Sequence, residues 1–326
     1  MKSRPNPLLP ALIAAVLQAL MVLAFAWPSA NTAPRDLPLG VAGPQAAVTQ
    51  VEQALAKAQP GAFELKSYPD EAAARAAIED REVYGAIVLT QQGRKVLTAS
   101  GAGPVVAQLL AQAAAAQDGA QGTAVEDVVA ADPDDPRGSG FATMVLPLIM
   151  SGIAASALLT FLVRTARERL LGVFAFAVLG GLITTLVSHT WLSLTPGTYW
   201  EVAGVTLLAS LSVAAPITGL ASLIGPPGIG VGALVLLLLG NPFSGAASAP
   251  ELLPQPWGDL GQLLQPGAAA SLLRSVAFFD GAAMTGPLLV LLGWSLLGLV
   301  LLAVALRRRR PETATAPEPE TVALAS

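Results

Sequence analysis

The sequence predicts a polytopic α-helical membrane protein, with six transmembrane helices and a small extracytoplasmic α/β domain between the first and second of them. Three observations support this fold class. Of the 326 residues, 53% are hydrophobic and only 12% are charged, whereas soluble domains carry about 25% charged residues. Apolar residues are gathered in runs of about 20, the helix length that crosses the hydrocarbon layer. Most acidic residues lie between Asp36 and Asp135, in a stretch with the composition of a soluble domain.

The first apolar run, residues 8–27, follows a short basic segment at residues 1–7 and predicts the first span. Its length and Trp27, which stands where an interfacial aromatic anchor belongs, favour a retained helix. A cleaved signal peptide is the alternative, with small residues for cleavage at 24–26. Both interpretations export the segment that follows.

Residues 35–140 show the patterns of alternating strands and helices. Phe63–Tyr68 alternates apolar and polar side chains, as a half-buried strand does, whereas residues 84–89 are apolar throughout, as in a central strand. Asp70 is placed to cap the helix that follows it. The element order is therefore β-α-β-α-β-β-α-β, a small α/β domain. The predicted strands are 37–41, 63–68, 84–89, 95–99 and 125–129, the helices are 46–58, 71–80 and 105–116, and a turn falls at Gln92-Gly93.

A polar, proline-containing stretch at residues 132–138 links this domain to the next span. Its acidic residues, Asp132, Asp134 and Asp135, lack the spacing and the terminal glutamate of a calcium loop. We therefore expect a solvated linker in which Arg137 pairs locally.

Five further apolar runs complete the membrane part. The run at 227–240 has only 14 residues, so it spans only if its helix begins close to Pro227. Residues 241–281 combine several prolines with Trp257 and amphipathic stretches, which predicts an external loop of interfacial or re-entrant helices packed on protein. The other predicted segments are spans at 141–163, 171–190, 202–224 and 284–306, a cytoplasmic loop at 164–170 and a cytoplasmic tail at 307–326.

Three basic clusters predict the orientation. They are Lys2 with Arg4, the arginines within 164–169, and the run at 307–310, while residues 189–201 contain no Lys or Arg. Six spans place all three clusters on one side, which is the cytoplasm because cytoplasmic loops are enriched in Lys and Arg. Five spans would put the last cluster outside. The expected location is the cell (plasma) membrane, with both termini cytoplasmic.

The sequence gives no sign of a catalytic, cofactor or metal site. The chain has no cysteine, and the predicted spans hold essentially none of the ionisable side chains that a proton pump or intramembrane protease needs. His189, the only histidine, falls at the outer end of a span and is interpreted as an interfacial residue bonded to solvent or backbone. Residues 225–230 are glycine-rich but lack the Lys-Ser/Thr of a phosphate loop, which predicts a tight cytoplasmic turn. We therefore expect no enzyme, and no nucleic-acid partner, since no basic stripe with interleaved aromatics occurs.

Small residues in the spans predict surfaces where helices approach closely. The same residues would serve helices that shift against one another during transport, and the sequence does not separate the two roles. The glycines concerned are Gly180, Gly181, Gly204, Gly219, Gly293 and Gly298.

The layout resembles the membrane subunits of type-2 ABC exporters, and more closely the phage-infection-protein (YhgE/Pip-like) branch, in its actinobacterial form. Those proteins have one N-terminal span, a large external domain and five further spans. The resemblance rests on residues 67–72 leading to 84–89 and on 135–138 before the second span. It also rests on 264–268, Arg274 and 278–281 before the last span. It covers nearly the whole chain, although the external region is much shorter than in the long phage-infection proteins.

The resemblance implies a permease-type subunit of an ABC exporter, lodged in the lipid bilayer. It would work with a separate ATPase, as a homodimer or heterodimer and without a cofactor. The residues expected to dock the ATPase are Arg164, Arg167, Arg169, Gly225 and Gly228. For the arginines, retention of topology by positive charge is the plain alternative.

The external loop would shape a gate on the opposite side. The residues expected there are Pro254, Trp257, Pro266, Gly267 and Arg274. A second hypothesis is a non-transporting cell-envelope protein whose external domain binds a partner or assists secretion. No polar residue selects a substrate.

Overall fold

A computed structural model describes residues 7–91, 93–118 and 123–308. Most of the predicted N-terminal segment and cytoplasmic tail, and Gln92 of the predicted turn, lie outside the described residues. In chain order, the first half comprises α1 (Leu8–Ala30), β1 (Leu37–Ala42), α2 (Gln45–Ala58), β2 (Phe63–Tyr68), α3 (Glu71–Glu79), β3 (Gly85–Thr90), β4 (Gly93–Thr98), α4 (Pro104–Asp118) and β5 (Ala124–Asp127).

The second half is helical. Two of its helices end in a π-helical turn, Leu186–Trp191 after α6 and Leu236–Gly240 after α8, and a 3₁₀ turn covers Pro250–Leu252. The helices are α5 (Ser139–Leu162), α6 (Ala166–Thr185), α7 (Tyr199–Ile224), α8 (Pro227–Val235), α9 (Trp257–Gln262), α10 (Gln265–Phe278) and α11 (Thr285–Arg308).

The α/β domain confirms the predicted order of strands and helices. Its sheet has the strand order β2-β1-β3-β4-β5, with the continuously apolar β3 in the middle. Strand β1 pairs in parallel with β2 and β3, β3 and β4 form an antiparallel hairpin, and β4 pairs in parallel with β5. The Asp70 side chain accepts a hydrogen bond from the Ala73 amide at 2.8 Å and so caps α3, as predicted.

Four charged side chains form a closed ring that joins α3 to β4 and β5. Arg75 and Lys95 each lie within 3.3 Å of both Glu71 and Glu126. Hydrogen bonds from Lys95, and then from Arg75, hold the pKa of Glu126 below its usual value. A network of several charges is a better stability argument than an isolated surface pair.

The linker to α5 is less solvated than its composition predicts. Asp135 is buried, and its carboxylate accepts a hydrogen bond from the Phe141 amide at 2.9 Å and one from the Ser139 hydroxyl. A carboxylate at a helix N-terminus satisfies amides that lack an intrahelical partner. The expectation of solvent exposure is therefore wrong for Asp135.

The membrane part is polytopic. Among the described residues, five helices are long and apolar enough to cross a membrane, namely α1, α5, α6 with its π-helical turn, α7 and α11. The buried share of the apolar stretch is 72% in α7, 28% in α5 and α11, 22% in α6 and 0% in α1. Helix α7 is thus the centre of the bundle.

Helix α7 approaches its neighbours at the level of the backbone. A Cβ placed on Gly298 of α11 would lie 2.3 Å from the Pro216 nitrogen, and one on Gly219 would lie 2.9 Å from the Gly298 carbonyl oxygen. A Cβ on Gly181 of α6 would lie 2.7 Å from the Leu207 Cα. The packing role predicted for glycines holds at these three positions. Gly204 and Gly293 have open space around them, and Gly180 meets only Phe176 of its own helix.

Helix α8 with its π-helical turn covers Pro227–Gly240 and is too short to count among the spans. It runs antiparallel to the second half of α7, because Gly228 packs on Ala221 and Gly232 packs on Ile217. It ends where Gly240 meets the Pro266 ring. The predicted span at 227–240 is therefore a helix that follows only half of α7.

Helix α10 follows the other half of α7. The Gln265 side-chain amide donates to the Ser212 carbonyl oxygen at 3.2 Å, near the middle of α7. Further along, Leu272 packs in one buried cluster with Val202 and Val205, near the start of α7. Helices α8 and α10 thus lie one after the other along α7, and the chain between them makes a detour.

Helix α1 lies at the edge of the bundle. It packs on the π-helical turn after α8, and Trp27 near its end contacts Phe243 edge-on at 6.4 Å. Its large apolar side chains, such as Leu12 and Ile13, are exposed. Lipid is the environment that suits this surface.

The glycine contact at the α7–α11 crossing can be tested with a matched pair on α11. Gly298→Ala places a methyl group against the backbone of Ala215 and Pro216, so we expect the free energy of unfolding to fall by about 1–3 kcal/mol. Gly293→Ala, in open space, should leave it unchanged or slightly higher. The measurement is thermal unfolding of the full-length protein in detergent, and equal effects of both substitutions would contradict this packing.

Candidate functional site

The end of the bundle that carries α6's first turn is rich in arginine. Helix α5 runs parallel to α7, since Gly152 packs on Val213 while Arg169 joins Thr160 to Ser222 further along both helices. Helix α11 is also parallel to α7, since Gly298 packs on Pro216 and Leu301 on Gly219. Their last turns therefore lie near this end, with Arg307 and Arg308 on α11. The predicted docking residues Arg164 and Arg167 lie there too and are exposed.

Arg169, the third predicted docking arginine, is buried in the same end. Its guanidinium donates to the Thr160 carbonyl at 2.7 Å, to the Val163 carbonyl at 3.0 Å and to the Ser222 hydroxyl at 3.1 Å. A cation suits the last carbonyls of a helix. Arg169 thus ties the ends of α5 and α7 to the start of α6, and the exposed surface is left to Arg164 and Arg167.

The predicted turn at 225–230 joins α7 to α8 directly. Gly225 has a φ of +79° and donates from its amide to the Ala221 carbonyl, and the Gly228 amide donates back to Gly225. Gly228 is buried, because a Cβ there would lie 2.6 Å from the Ala221 nitrogen. The tight turn is confirmed, and both glycines lie at the same end as the arginines.

The residues predicted to form a gate do not meet at one point. Trp257 starts α9 and stacks on Phe243 at 5.0 Å, close to the end of α1. Pro266 and Gly267 begin α10, where Pro266 contacts Gly240. Pro254 is buried after the 3₁₀ turn. Arg274 lies deeper in α10, with its guanidinium 4.9 Å from the centre of the Phe141 ring.

The chain between α8 and α11 completes the core of the α/β domain. Phe279 packs in one buried cluster with Val83 and Leu97, and Leu252 packs in another with Leu37 and Leu39. The residues after α10 and the 3₁₀ turn are therefore part of the domain's interior, which the local sequence pattern does not predict.

Hydrogen bonds strengthen the same junction. The amides of Ala33 and Arg35 donate to the carbonyls of Leu252 and Glu251, each at 3.0 Å. In addition, the Arg81 guanidinium donates to the Ser271 carbonyl and to the Ser275 hydroxyl of α10. The domain is thus attached to the membrane part by backbone and side-chain contacts.

A cavity of about 420 Å³ lies at this junction. Two of its lining residues are arginines whose guanidiniums lie beside α10, because Arg81 bonds to that helix and Arg274 belongs to it. Two carboxylates stand on the 3₁₀ turn and on α9, Glu251 and Asp259. The other lining residues include Tyr84, Ser271, Leu263, Gly286, Pro287 and Val290.

Burial dominates the electrostatics of the cavity. The Tyr84 hydroxyl donates to Glu251 Oε2 at 2.9 Å, and burial raises the pKa of both groups. Burial also lowers the pKa of Arg81. In the part of the chain that the structure describes, neither Arg81 nor Arg274 has a carboxylate within 4.0 Å. The cavity is therefore the candidate functional site.

This site was missed because it joins distant residues. Residues 241–281 contain four charged side chains, Glu251, Asp259, Arg274 and Asp280, and the first three line the cavity. The scarcity of charge in this stretch was the available signal. Arg81, which comes from the α/β domain, had no signal of its own.

Elsewhere the structure offers little chemistry. His189 Nδ1 lies 2.6 Å from the Thr195 carbonyl, so of the two predicted partners, solvent and backbone, the structure shows the backbone. Among the described residues, no group of three His, Asp or Glu side chains is arranged to hold a metal ion. Comparison of the chain with protein-family models, with curated proteins and with solved structures gives no match.

The anchoring role of Arg169 can be separated from its charge. Arg169→Met removes three hydrogen bonds that join three helix ends, so we expect unfolding to become easier by roughly 2 kcal/mol or more. Arg167→Met removes the same charge from an exposed position and should change stability by less than about 0.5 kcal/mol. Thermal unfolding of the two purified variants checks this, and similar midpoints would exclude the anchoring role.

Proposed function

We propose that this protein is the permease-type membrane subunit of an ABC exporter and works with a separate ATPase, as a homodimer or heterodimer. The observation that carries the proposal is the position of α7. One end of this buried helix lies by the exposed arginines, and its other half carries α10 and, through α10, the α/β domain. A movement at one end of α7 would therefore be transmitted to the other end through packed contacts.

The arginine end suits a docking surface. Arg164 and Arg167 are exposed, whereas Arg169 couples α5, α6 and α7 beneath them. A partner with an acidic surface could pair with the exposed guanidiniums and move three helix ends together. The tight turn at Gly225 would stand beside it.

We further propose that the chain crosses the membrane six times, with both termini in the cytoplasm and the α/β domain outside. Helices α8 and α10, one after the other along α7, would form one broken crossing between α7 and α11. Irregular backbone at membrane depth is tolerated where protein covers it. The basic clusters then share the cytoplasmic side of the plasma membrane.

Single cysteines test this topology, since the chain has none of its own. Exposed positions are available at Glu79 in the domain, Arg167 at the α6 start and Arg308 at the end of α11. We expect Glu79→Cys to react with a membrane-impermeant maleimide in intact cells. Arg167→Cys and Arg308→Cys should react only after permeabilisation. Labelling of Arg308→Cys in intact cells would mean an odd number of crossings and would refute the proposed topology.

Co-purification tests the permease role. An ATPase subunit should be recovered with the full-length protein from cells that express it naturally, and the double variant Arg164→Glu, Arg167→Glu should lose it. Arg137→Glu, an exposed arginine next to α5's other end, is the control and should retain the ATPase. If no ATPase associates with the unsubstituted protein, and no ATPase-dependent export is found, the permease proposal fails.

The second candidate is a non-transporting cell-envelope protein whose external domain binds a partner or assists secretion. It is favoured by the place of the polar cavity, which lies at the domain junction and not within the bundle. Replacing the last five predicted spans by an unrelated anchor, with residues 241–283 retained beside the domain, separates the two. A binding protein would keep its function after this exchange, whereas an exporter would lose it.

A further inference from the structure

The charges of the junction cavity are sorted by sign. Both guanidiniums, of Arg81 and Arg274, lie along α10, and both carboxylates, of Glu251 and Asp259, lie on the segment before it. No guanidinium–carboxylate pair among these four is closer than 4.0 Å. The cavity thus holds charges of both signs that are not joined in ion pairs.

Arg274 is the most buried of the four charged side chains. Its residue is 5% exposed, and its guanidinium donates one hydrogen bond, to the Ala246 carbonyl at 3.1 Å, and lies over the Phe141 ring. A guanidinium has five N–H donors. A buried charge without a counter-charge is costly. An anionic group in the cavity would supply the counter-charge and the hydrogen-bond acceptors that the protein does not supply for Arg274.

The carboxylates argue against a simple anion as the ligand. Glu251 is held by Tyr84, and Asp259 stands at the exposed edge of α9. An anion that satisfied the arginines would leave these two groups facing a like charge. A ligand that also carries an ammonium group would pair with the two carboxylates as well as with the two guanidiniums.

One edge of the cavity is apolar. Leu263 lines the cavity while 59% of its surface is exposed, and Pro287 and Val290 of α11 line it too. Leu263 lies against α11, because the Trp294 indole of that helix donates to the Leu263 carbonyl at 2.9 Å. Leu260 and Leu289, close to them in the chain, are also exposed. A polar cavity beside exposed apolar side chains suits a molecule with a charged head and a hydrocarbon part.

We infer that this cavity binds a zwitterionic group that carries a phosphate and a primary ammonium, as in phosphoethanolamine. The phosphate faces Arg81 and Arg274, the ammonium faces Glu251 and Asp259, and hydrocarbon chains, where present, leave past Leu263. A volume of about 420 Å³ is adequate for such a head group. Binding in this cavity does not depend on export.

Titration calorimetry on the full-length protein in an uncharged detergent tests the charge pattern. The probes are sn-glycero-3-phosphoethanolamine, its anionic half sn-glycerol 3-phosphate and its cationic half ethanolamine. We expect the zwitterion to bind at least about tenfold more tightly than either half, because it pairs with the arginines and with the carboxylates at once. No binding of the zwitterion up to about 10 mM, or equal binding of sn-glycerol 3-phosphate, would overturn the inference.

Substitutions test which residues bind the ammonium group and which bind the phosphate. Asp259→Asn and Glu251→Gln should weaken the zwitterion and ethanolamine about tenfold and leave sn-glycerol 3-phosphate at least as tight. Arg81→Gln should weaken the zwitterion and sn-glycerol 3-phosphate instead. The controls Glu79→Gln and Arg137→Gln, exposed positions away from the cavity, should match the unsubstituted protein. Asp259 is exposed, so its variant is expected to fold, and unchanged zwitterion binding by both Asp259→Asn and Glu251→Gln would reject the site.

A fourth probe identifies the source of the group. Dihexanoyl phosphatidylethanolamine adds short hydrocarbon chains to the same head group. Binding about tenfold tighter than that of the soluble head group would indicate a membrane lipid, whereas equal binding would indicate a free zwitterion. Either result supports the zwitterion site, and binding of the lipid that survives Asp259→Asn with Glu251→Gln would count against it.

Discussion

The close approach of α7 to its neighbours is the constraint on which the rest of the membrane part depends. Gly219, Gly298 and Gly228 bring the backbones of α11 and α8 against α7, at distances that no side chain would permit. Because lipid is as apolar as the helices, such packing, and not burial from water, holds a membrane bundle together. Helix α10 packs along the remaining length of α7. Through α10, helix α7 carries the α/β domain.

Local patterns predicted a large part of this fold. Alternation and a capping aspartate located the strands and helices of the domain, and run length located five spans. The contacts of Phe279 and Leu252 could not be predicted, because apolar residues between two spans resemble lipid-facing ones. The cavity was hidden for a related reason: Arg81 meets Ser271 across 190 residues of chain, and neither residue is unusual in its own neighbourhood. Composition identifies scarce charges, but only tertiary structure shows which of them converge.

Two buried arginines in this protein illustrate different solutions to one electrostatic problem. Arg169 donates hydrogen bonds to helix-end carbonyls and a hydroxyl, which together stabilise its positive charge. Arg274 has one carbonyl and an aromatic face. The first arrangement is complete and stabilises three helix ends. The second leaves hydrogen-bonding capacity unused beside a cavity, where the proposed ligand would satisfy it.

The shared core of the domain and the late segment also governs the order in which the protein can be made. The last strand ends at Asp127, but Phe279, which closes one of the domain's clusters, follows about 150 residues later. At ribosomal speeds of roughly 5–20 residues per second, the domain waits on the order of ten to thirty seconds for that side chain. During this interval three long apolar helices are synthesised and the apolar surface around Val83 is uncovered. Biogenesis of this protein therefore includes a period in which a nearly finished domain exposes apolar surface that the complete chain covers.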